Sequence, residues 1–224
     1  MADMATPEQT LTAQQVLDAG LDDWRQMLHA LHTRLATGDF ATGLALVNAI
    51  GAAAEEMNHH PDLDLRYGHL NIRLFSHDVY GVTERDVRLA RRISELAAEA
   101  GVTARPEAVT VLELALDTAD WQAIRPFWKA VLALGDTPNV EDEVSDQAGA
   151  LPTLWFQATE PHTEPRQRFH LDVWVPHDQA EERIAAALEA GGRLVSDRHA
   201  PSFWVLADAE GNKACVCTAL QREG

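Results

Sequence analysis

Histidines are concentrated in one stretch of this chain, residues 55–86, which holds four of the ten in the 224-residue sequence. His59 and His60 are adjacent and precede a proline, and His69 and His77 follow. Imidazole is the side chain that most readily gives and accepts a proton near neutral pH. The stretch therefore predicts a proton-transfer site, with His59, His60 and His77 as the candidate catalytic residues.

A helix over residues 40–58 is needed to position the first two histidines. Apolar residues recur in it at intervals of three and four and predict one buried stripe, formed by Phe40, Leu44, Val47, Ile50 and Ala54. Asp39 precedes the helix as an N-cap, and Pro61 disfavours helical geometry at the residue before it, so the helix is expected to end there. Glu55 lies one helical turn before His59 and is expected to orient that imidazole.

A strand over residues 69–77 is needed to position the third histidine. Alternate residues of a strand face opposite ways, so Leu70, Ile72 and Leu74 are predicted to face one way. The other face then carries His69, Asn71, Arg73, Phe75 and His77. Because His77 ends this strand, a strand end and a helix end can bring three imidazoles to one pocket.

Non-catalytic roles for the same residues stay open. Adjacent histidines are common at solvated surfaces, and Tyr67 can cover the edge of a core. The segment Thr83-Glu84-Arg85-Asp86 resembles a capping box, which gives Asp86 a structural role at a helix start. Three histidines can also bind a metal, but neighbouring histidines rarely chelate one ion together and no H-x-x-x-H pair is present.

The spacing of the whole segment resembles the signature of the pterin-4a-carbinolamine dehydratases, and the resemblance covers roughly residues 10–100. The positions that carry it are Glu55, His59-His60-Pro61, Tyr67, His77 and Asp86. It implies a small α+β domain, with a helix layer on an antiparallel sheet. It also implies an enzyme that removes water from 4a-hydroxytetrahydropterin and gives quinonoid dihydropterin.

The resemblance implies a role for each position of that signature. The reaction needs an acid for the hydroxyl leaving C4a and a base for the N5 proton, which imidazoles in different protonation states supply, typically for about 10² to 10⁴ in rate. We expect His60 to be the acid, and His59 and His77 to bind the pterin and accept the proton. The substrate-binding set is Glu55, Pro61, Tyr67 and Asp86, with Glu55 as the orienting carboxylate. Neither a metal nor a cofactor is expected.

The chain after this segment divides into a second region. A helix over 83–100 completes the first domain, assigned to residues 1–101, and 102–107 resembles a linker. The second domain, residues 107–224, shows strand, helix and strands twice, and a shift of 57 residues lays Glu113 on His170. An internal repeat of one βαβββ unit explains this pattern. The predicted fold class is α+β: a helix-on-antiparallel-sheet domain followed by a paired βαβββ domain.

This second half resembles the glyoxalase-like domains of the vicinal oxygen chelate superfamily. The segments that carry the resemblance are L-W-F-Q at 154–157, R-F-H-L-D-V at 168–173 and A-D-A-E-G-N at 207–212. Metal-dependent members offer ligands on the first and last strands of each repeat, and the matching positions are Glu113, Gln157, His170 and Cys215. Only Glu113 and His170 are ordinary ligands of hard or borderline metals, so metal-dependent chemistry is not expected.

The cavity candidates of the second domain are Glu113, Gln157, His170 and Asp172. His170 and Asp172 can equally be a hydrogen-bonded pair on one strand, lining a concave sheet face that holds no ligand. The chain's two cysteines, Cys215 and Cys217, are expected to point to opposite faces of one strand and to form no disulfide.

Composition limits the partners. The formal net charge is −17, and no basic patch appears, so neither a nucleic acid nor an anionic membrane surface is expected. A run of about 18 apolar residues, which a membrane span needs, is absent. We expect a cytoplasmic homodimer or higher homo-oligomer that acts on a small-molecule pterin. The alternatives are small-molecule binding or metal-dependent lyase or dioxygenase-type chemistry centred on the glyoxalase-like domain, or a non-catalytic dimerisation module.

Overall fold

The computed structural model describes residues 9–131, 134–146, 148–161, 169–189, 191–207 and 213–221. The chain divides into two compact units, unit 1 at Met1–Val109 and unit 2 at Thr110–Gly224. Three features of the sequence fall wholly or partly outside the described residues: most of the N-terminal tail, Arg168 of one glyoxalase-like segment, and residues 208–212 of another.

Unit 1 contains an antiparallel sheet. Its strands are β1 (Arg25–Met27), β2 (Ala30–Ala36), β3 (Asp62–Arg66), β4 (His69–Leu74) and β5 (Thr103–Ala104). The strand order is β1-β2-β4-β3, and β5 pairs with β2. The segment 102–107 is therefore more than a linker, because β5 adds to the sheet. Strand β3 was not predicted, since its residues are only exposed or half-buried and so carry a weak hydrophobic pattern.

Among the residues of unit 1 that the structure describes, three α-helices supply the other layer, namely α1 (Ala13–Asp18), α2 (Phe40–Met57) and α3 (Glu84–Glu99). Side chains of Thr12, Asp39 and Thr83 cap their N-termini, as residues with short polar side chains commonly do. The helices and the sheet share one core, in which the most buried residues are Leu31, Leu35, Ile50, Leu70, Leu74, Leu89, Ala90 and Ile93. The apolar residues that helix α3 buries are Val87, Leu89, Ala90, Ile93 and Ala97.

The predicted buried stripe of α2 was wrong in part. Phe40 is 49% exposed and Leu44 is 46% exposed. Ile50 and Ala54 are buried as predicted, and the other buried residues are Gly43, Leu46 and Ala53. A Cβ at Gly43 would lie 2.5 Å from the Leu65 Cδ1 atom. Small residues therefore let α2 approach the sheet closely. A prediction that relies on the spacing of large apolar residues misses a helix face of this kind.

The strand predicted over 69–77 ends three residues early. Strand β4 stops at Leu74, and Ser76 then forms an isolated antiparallel bridge with Gly81. The chain turns between these two residues, so His77 lies in an exposed turn rather than on the strand. Phe75, the first residue after the strand, is buried.

Unit 2 contains one eight-stranded sheet made by two βαβββ repeats. The first repeat comprises β6 (Val111–Thr118), α4 (Trp121–Val131), β7 (Gly135–Asp136), β8 (Glu143–Ser145) and β9 (Thr153–Ala158). The second comprises β10 (Phe169–Trp174), α5 (Ala180–Glu189), β11 (Arg193–His199), β12 (Phe203–Ala207) and β13 (Lys213–Cys217). The strand order is β11-β12-β13-β10-β6-β9-β8-β7, with β6 and β10 antiparallel at the centre.

Each repeat has its own hydrophobic cluster. Leu116, Val144, Leu154 and Phe156 pack together in the first repeat, and Val175, Ala180, Leu206 and Val216 pack together in the second. The α+β class and the paired βαβββ arrangement are therefore confirmed. Among the described residues, no helix has the length and apolar character that crossing a membrane requires.

Glu143 on β8 makes the stability of unit 2 depend on pH. Burial raises the pKa of its carboxyl from 4.5 to about 7, with Thr137 opposing the rise and Asp142 adding to it. Between these two pH values the folded state holds a proton that the unfolded state has released. The free energy of unfolding therefore falls as pH rises from 4.5 through 7.

We expect the Glu143→Gln variant, which cannot ionise, to be more stable than the wild type by about 1–3 kcal/mol above pH 7. Below pH 4.5 the difference should vanish, because both side chains are then neutral. Urea unfolding can be followed by intrinsic fluorescence, since five of the six tryptophans lie in unit 2. A stability difference that does not change with pH would contradict the assignment.

Candidate active site

The end of helix α2 determines where the two adjacent histidines point. Asn58 follows the last helical residue and adopts the left-handed conformation, with φ 48° and ψ 42°, which asparagine tolerates better than most residues. The backbone N–H of His59 then donates to the Ala54 carbonyl oxygen at 3.1 Å. This reversal of the chain removes His59 from the helical face that Glu55 occupies.

His59 is paired with Asp86 in the interior of unit 1. The His59 Nε2 atom lies 2.6 Å from Asp86 Oδ1, and the side chains are 8% and 0% exposed. The ring hydrogen on Nε2 donates to the carboxylate, which has only acceptor atoms when ionised. In the neutral imidazole this leaves Nδ1 as the nitrogen that can accept a proton.

The other carboxylate oxygen of Asp86 joins helix α3 to the end of β4. The backbone N–H of Thr83 donates to Asp86 Oδ2 at 2.8 Å, and the Ser76 hydroxyl donates to the same oxygen at 2.8 Å. The Thr83 hydroxyl also donates to it, at 3.2 Å. The predicted capping box is thus present, and it also fixes the side chain that binds His59.

His60 has a different partner and a different environment. Its Nε2 atom lies 3.2 Å from Glu55 Oε1, and the two side chains are 55% and 80% exposed. The expectation that Glu55 orients His59 was therefore wrong, because Glu55 contacts His60. The left-handed residue Asn58 turns His60 back toward helix α2. The His60 ring is therefore largely exposed, whereas only a small part of the His59 ring reaches the surface.

His77 follows Ser76 and therefore lies next to the Asp86 network. Its ring packs on Phe75 with 4.1 Å between centroids, and it is exposed. Strand β3 begins at Asp62, opposite Arg73 near the end of β4. The His60-Pro61 segment that leads into β3 therefore lies at the same end of the sheet as His77.

Tyr67 lies at the opposite end of that hairpin. It is 77% exposed and falls in the turn between β3 and β4, so the length of β4 separates it from the turn that holds His77. Six residues of strand span roughly 20 Å. The structure brings His59, Pro61, His77 and Asp86 to one end of unit 1, but not Tyr67.

An aromatic cluster beside His77 was not predicted. His29 stacks on Tyr80 with 4.0 Å between centroids, and the Arg73 guanidinium lies 4.2 Å from the Phe75 ring centre. Arg73 Nη2 also donates to His29 Nε2 at 2.9 Å. Burial and the adjacent charge of Arg73 lower the pKa of His29 to about 3, with a further contribution from His77. His29 is therefore a neutral acceptor near neutral pH.

Unit 2 has a cavity of about 480 Å³ on one face of its sheet. Among the predicted cavity residues Gln157, His170 and Asp172 line it. Glu113 is buried, and the Trp174 indole N–H donates to its Oε2 at 3.4 Å. Other lining residues are Asp117, Trp155, Thr159, Phe203, Val205, Lys213, Cys215 and Cys217.

The two cysteines line this same cavity, so their expected opposite orientation was wrong. Residues two apart on a strand share a face, and Cys215 and Cys217 are alternate residues of β13. Neither is in a disulfide. Of the ligand positions that the resemblance implied, Gln157, His170 and Cys215 line the cavity, and Glu113 is buried beside Trp174, opposite Asp172 in the sheet.

Comparison with known proteins gives the same two halves. The family model described as pterin 4 alpha carbinolamine dehydratase matches residues 6–96. A protein of Nocardia farcinica named "Putative pterin-4-alpha-carbinolamine dehydratase" is 36% identical over 95 residues, which are 42% of this chain and 96% of that protein. The chain belongs to the pterin-4a-carbinolamine dehydratase family.

Further relatives of the same name match unit 1 of this dehydratase family member. A protein of Thermomicrobium roseum is 39% identical over 74 residues, which are 33% of this chain and 80% of the relative. A solved structure described as a transcriptional coactivator/pterin dehydratase from Brucella Melitensis is 28% identical. It covers 40% of this chain and 99% of its own, with a TM-score of 0.39. The model of the glyoxalase-like domain matches residues 113–217, so the dehydratase-like unit is fused to a glyoxalase-like one.

These comparisons confirm the recognition of both halves. The homo-oligomer, the cytoplasmic location and the substrate-binding roles of Glu55, Pro61, Tyr67 and Asp86 stay predictions.

We expect Asp86→Asn to destabilise unit 1 by about 2–4 kcal/mol, because it leaves buried donors without a full set of acceptors. Thr83→Ala, which removes one capping hydroxyl from the same network, should cost only about 1 kcal/mol. Urea unfolding can be followed by the methyl NMR signals of Ile50 and Ile93, which are buried in the core of unit 1. Equal losses in the two variants would mean that Asp86 is merely a helix cap.

Proposed function

We propose that unit 1 is a 4a-hydroxytetrahydropterin dehydratase, a hydro-lyase that works by histidine acid–base catalysis. It removes the C4a hydroxyl as water and the N5 proton, and gives quinonoid dihydropterin. The family membership supports dehydratase chemistry. The assignment of roles to individual residues rests on the different environments of the three histidines.

His60 acts as the acid toward the leaving hydroxyl. Its ring is exposed, so a substrate from solvent can reach it, and Glu55 holds it through the 3.2 Å contact at Nε2. A carboxylate at hydrogen-bond distance fixes the orientation of an imidazole, as in other acid–base sites. The proton that leaves His60 goes to the C4a oxygen, which departs as water.

His59 acts as the base for the N5 proton. Asp86 fixes the hydrogen of the neutral ring on Nε2, so that the lone pair is on Nδ1. A buried carboxylate that fixes the tautomer of a histidine is a recurring device of catalytic sites. His77, on the turn that follows Ser76, binds the pterin ring and assists in accepting the proton.

The observation that carries this proposal is the pairing of each adjacent histidine with its own carboxylate, one pair buried and one exposed. Two imidazoles that differ in partner and in access to solvent can hold different protonation states, which elimination of water requires. The exposed Glu55–His60 pair contributes little to stability, and acid catalysis would give it a role that a non-catalytic dimerisation module does not require.

The proposal predicts that His59→Ala, His60→Ala and His77→Ala each slow the dehydration of 4a-hydroxytetrahydropterin, the first two by about 10² to 10⁴. His69→Ala is the matched control, because this histidine lies at the far end of β4, and its rate should stay within about threefold of the wild type. Stopped-flow absorbance measures the rate. Full activity in both the His59 and His60 variants, or none in the folded wild-type protein, would contradict the proposal.

A further inference from the structure

Two paired strands place a carboxylate and a primary amide side by side in the cavity of unit 2. Asp117 on β6 and Gln157 on β9 are partners in the parallel pairing of these strands, and both are half-buried and line the cavity. Neighbouring strands lie about 4.8 Å apart. The cavity wall therefore offers two carboxylate acceptor oxygens next to an amide group that both donates and accepts.

A flat aromatic wall adjoins this pair. Trp155 is two residues before Gln157 on β9, so it shares the same face of the sheet, and it lines the cavity. Its partner on β6 is Ala115, which is also the partner of His170 on β10. The cavity floor between the indole and the imidazole is thus a single methyl group, which lets a flat ring system lie against the indole.

His170 lies between two carboxylates of the same cavity. Its Nδ1 atom is 3.5 Å from Asp117 Oδ1, and its Nε2 atom is 3.4 Å from Asp172 Oδ1. Lys213 also lines the cavity, and both Lys213 and Asp172 have further interactions. The direction of hydrogen bonds at Asp117, and not an excess of negative charge, therefore selects the ligand, which needs adjacent N–H donors.

The size and lining of the cavity suit a flat organic molecule. Its volume is about 480 Å³, within the range of sites that enclose small ligands. Phe203 and Val205 of β12 add apolar surface to that of Trp155. Apolar and aromatic walls with a few polar groups that fix orientation are the usual features of such sites.

We propose that unit 2 binds a fused heterocycle with a 2-amino-4-oxopyrimidine edge, and that this ligand is a pterin. The Asp117 carboxylate accepts from the 2-amino group and from N3–H, in the two-point geometry that carboxylates form with guanidinium groups. The Gln157 amide donates to O4, and the ring system lies against Trp155. Guanine has the same edge, so the choice of a pterin rests on the dehydratase function proposed for unit 1.

The indole N–H signals in the NMR spectrum of the full-length protein report binding in unit 2 separately from unit 1. Unit 1 contains Trp24 as its one tryptophan, and the other five are in unit 2. The Trp155→Phe variant identifies the Trp155 signal. Titration of the wild type with biopterin should shift this signal to saturation. A Trp155 signal that stays in place at millimolar biopterin would overturn the proposal.

The lumazine analogue of biopterin tests the heterocyclic edge on the wild-type protein. In this analogue an oxygen replaces the 2-amino group, so that an acceptor faces the Asp117 carboxylate. Losing a hydrogen bond to a charged group should weaken binding at least tenfold. Equal affinity for the two compounds would overturn the proposed contact. Guanosine is the third ligand, and if it bound more tightly than biopterin, the choice of a pterin would be wrong.

Two variants with the same change of charge assign the contact. Asp117→Asn should weaken biopterin binding at least tenfold, because an amide then faces the N–H donors of the ligand. The matched control is Asp197→Asn, which removes a carboxylate from the exposed strand β11 of the same unit and should leave the affinity unchanged. Equal losses in the two variants would show that net charge, and not the contact, is responsible.

The dehydration rate of the same proteins separates this inference from the function proposed for unit 1. Asp117→Asn should retain the wild-type rate with 4a-hydroxytetrahydropterin, because Asp117 belongs to unit 2. A wild-type protein that dehydrates this substrate but shows no response at Trp155 would overturn the pterin site alone. A response at Trp155 without dehydratase activity would support the pterin site and contradict the function proposed for unit 1.

Discussion

One buried carboxylate, Asp86, determines the geometry of unit 1. Its two oxygens bind the ring of His59 on one side and the start of helix α3 and the Ser76 hydroxyl on the other. A helix exit, a helix start and a strand end therefore meet at one side chain. Because each of these donors is buried, water cannot replace the carboxylate as their acceptor. The helix exit, the helix start and the strand end around Asp86 are therefore held in a single arrangement.

This network explains why the two adjacent histidines have different properties. The left-handed residue Asn58 sends His59 into the interior and His60 back toward the surface. One imidazole is thereby fixed in its tautomer, and the other is largely exposed. In unit 2, strand pairing has the corresponding role, because it brings together His170, Asp172 and Cys215.

Much of the fold could be predicted from the sequence, because local signals were strong. Helix α2 begins after Asp39 and ends before the histidines as expected, and the repeat in unit 2 follows from its 57-residue offset. The partners of the site residues could not be predicted in the same way. Asp86 was recognised as a capping residue, but its contact with His59 spans 27 positions and has no local signal. The short exposed strand β3 and the small-residue face of α2 lack the hydrophobic periodicity that prediction requires.

The protonation pattern of the His59 ring tests the central claim most directly. Long-range nitrogen–proton NMR spectra of the uniformly labelled protein at alkaline pH distinguish the two neutral tautomers of each histidine. If Asp86 fixes the ring, His59 will carry its hydrogen on Nε2, protected from exchange, and its Nδ1 will be unprotonated. A His59 ring with its hydrogen on Nδ1, or one that exchanges with water as fast as His60, would contradict the account.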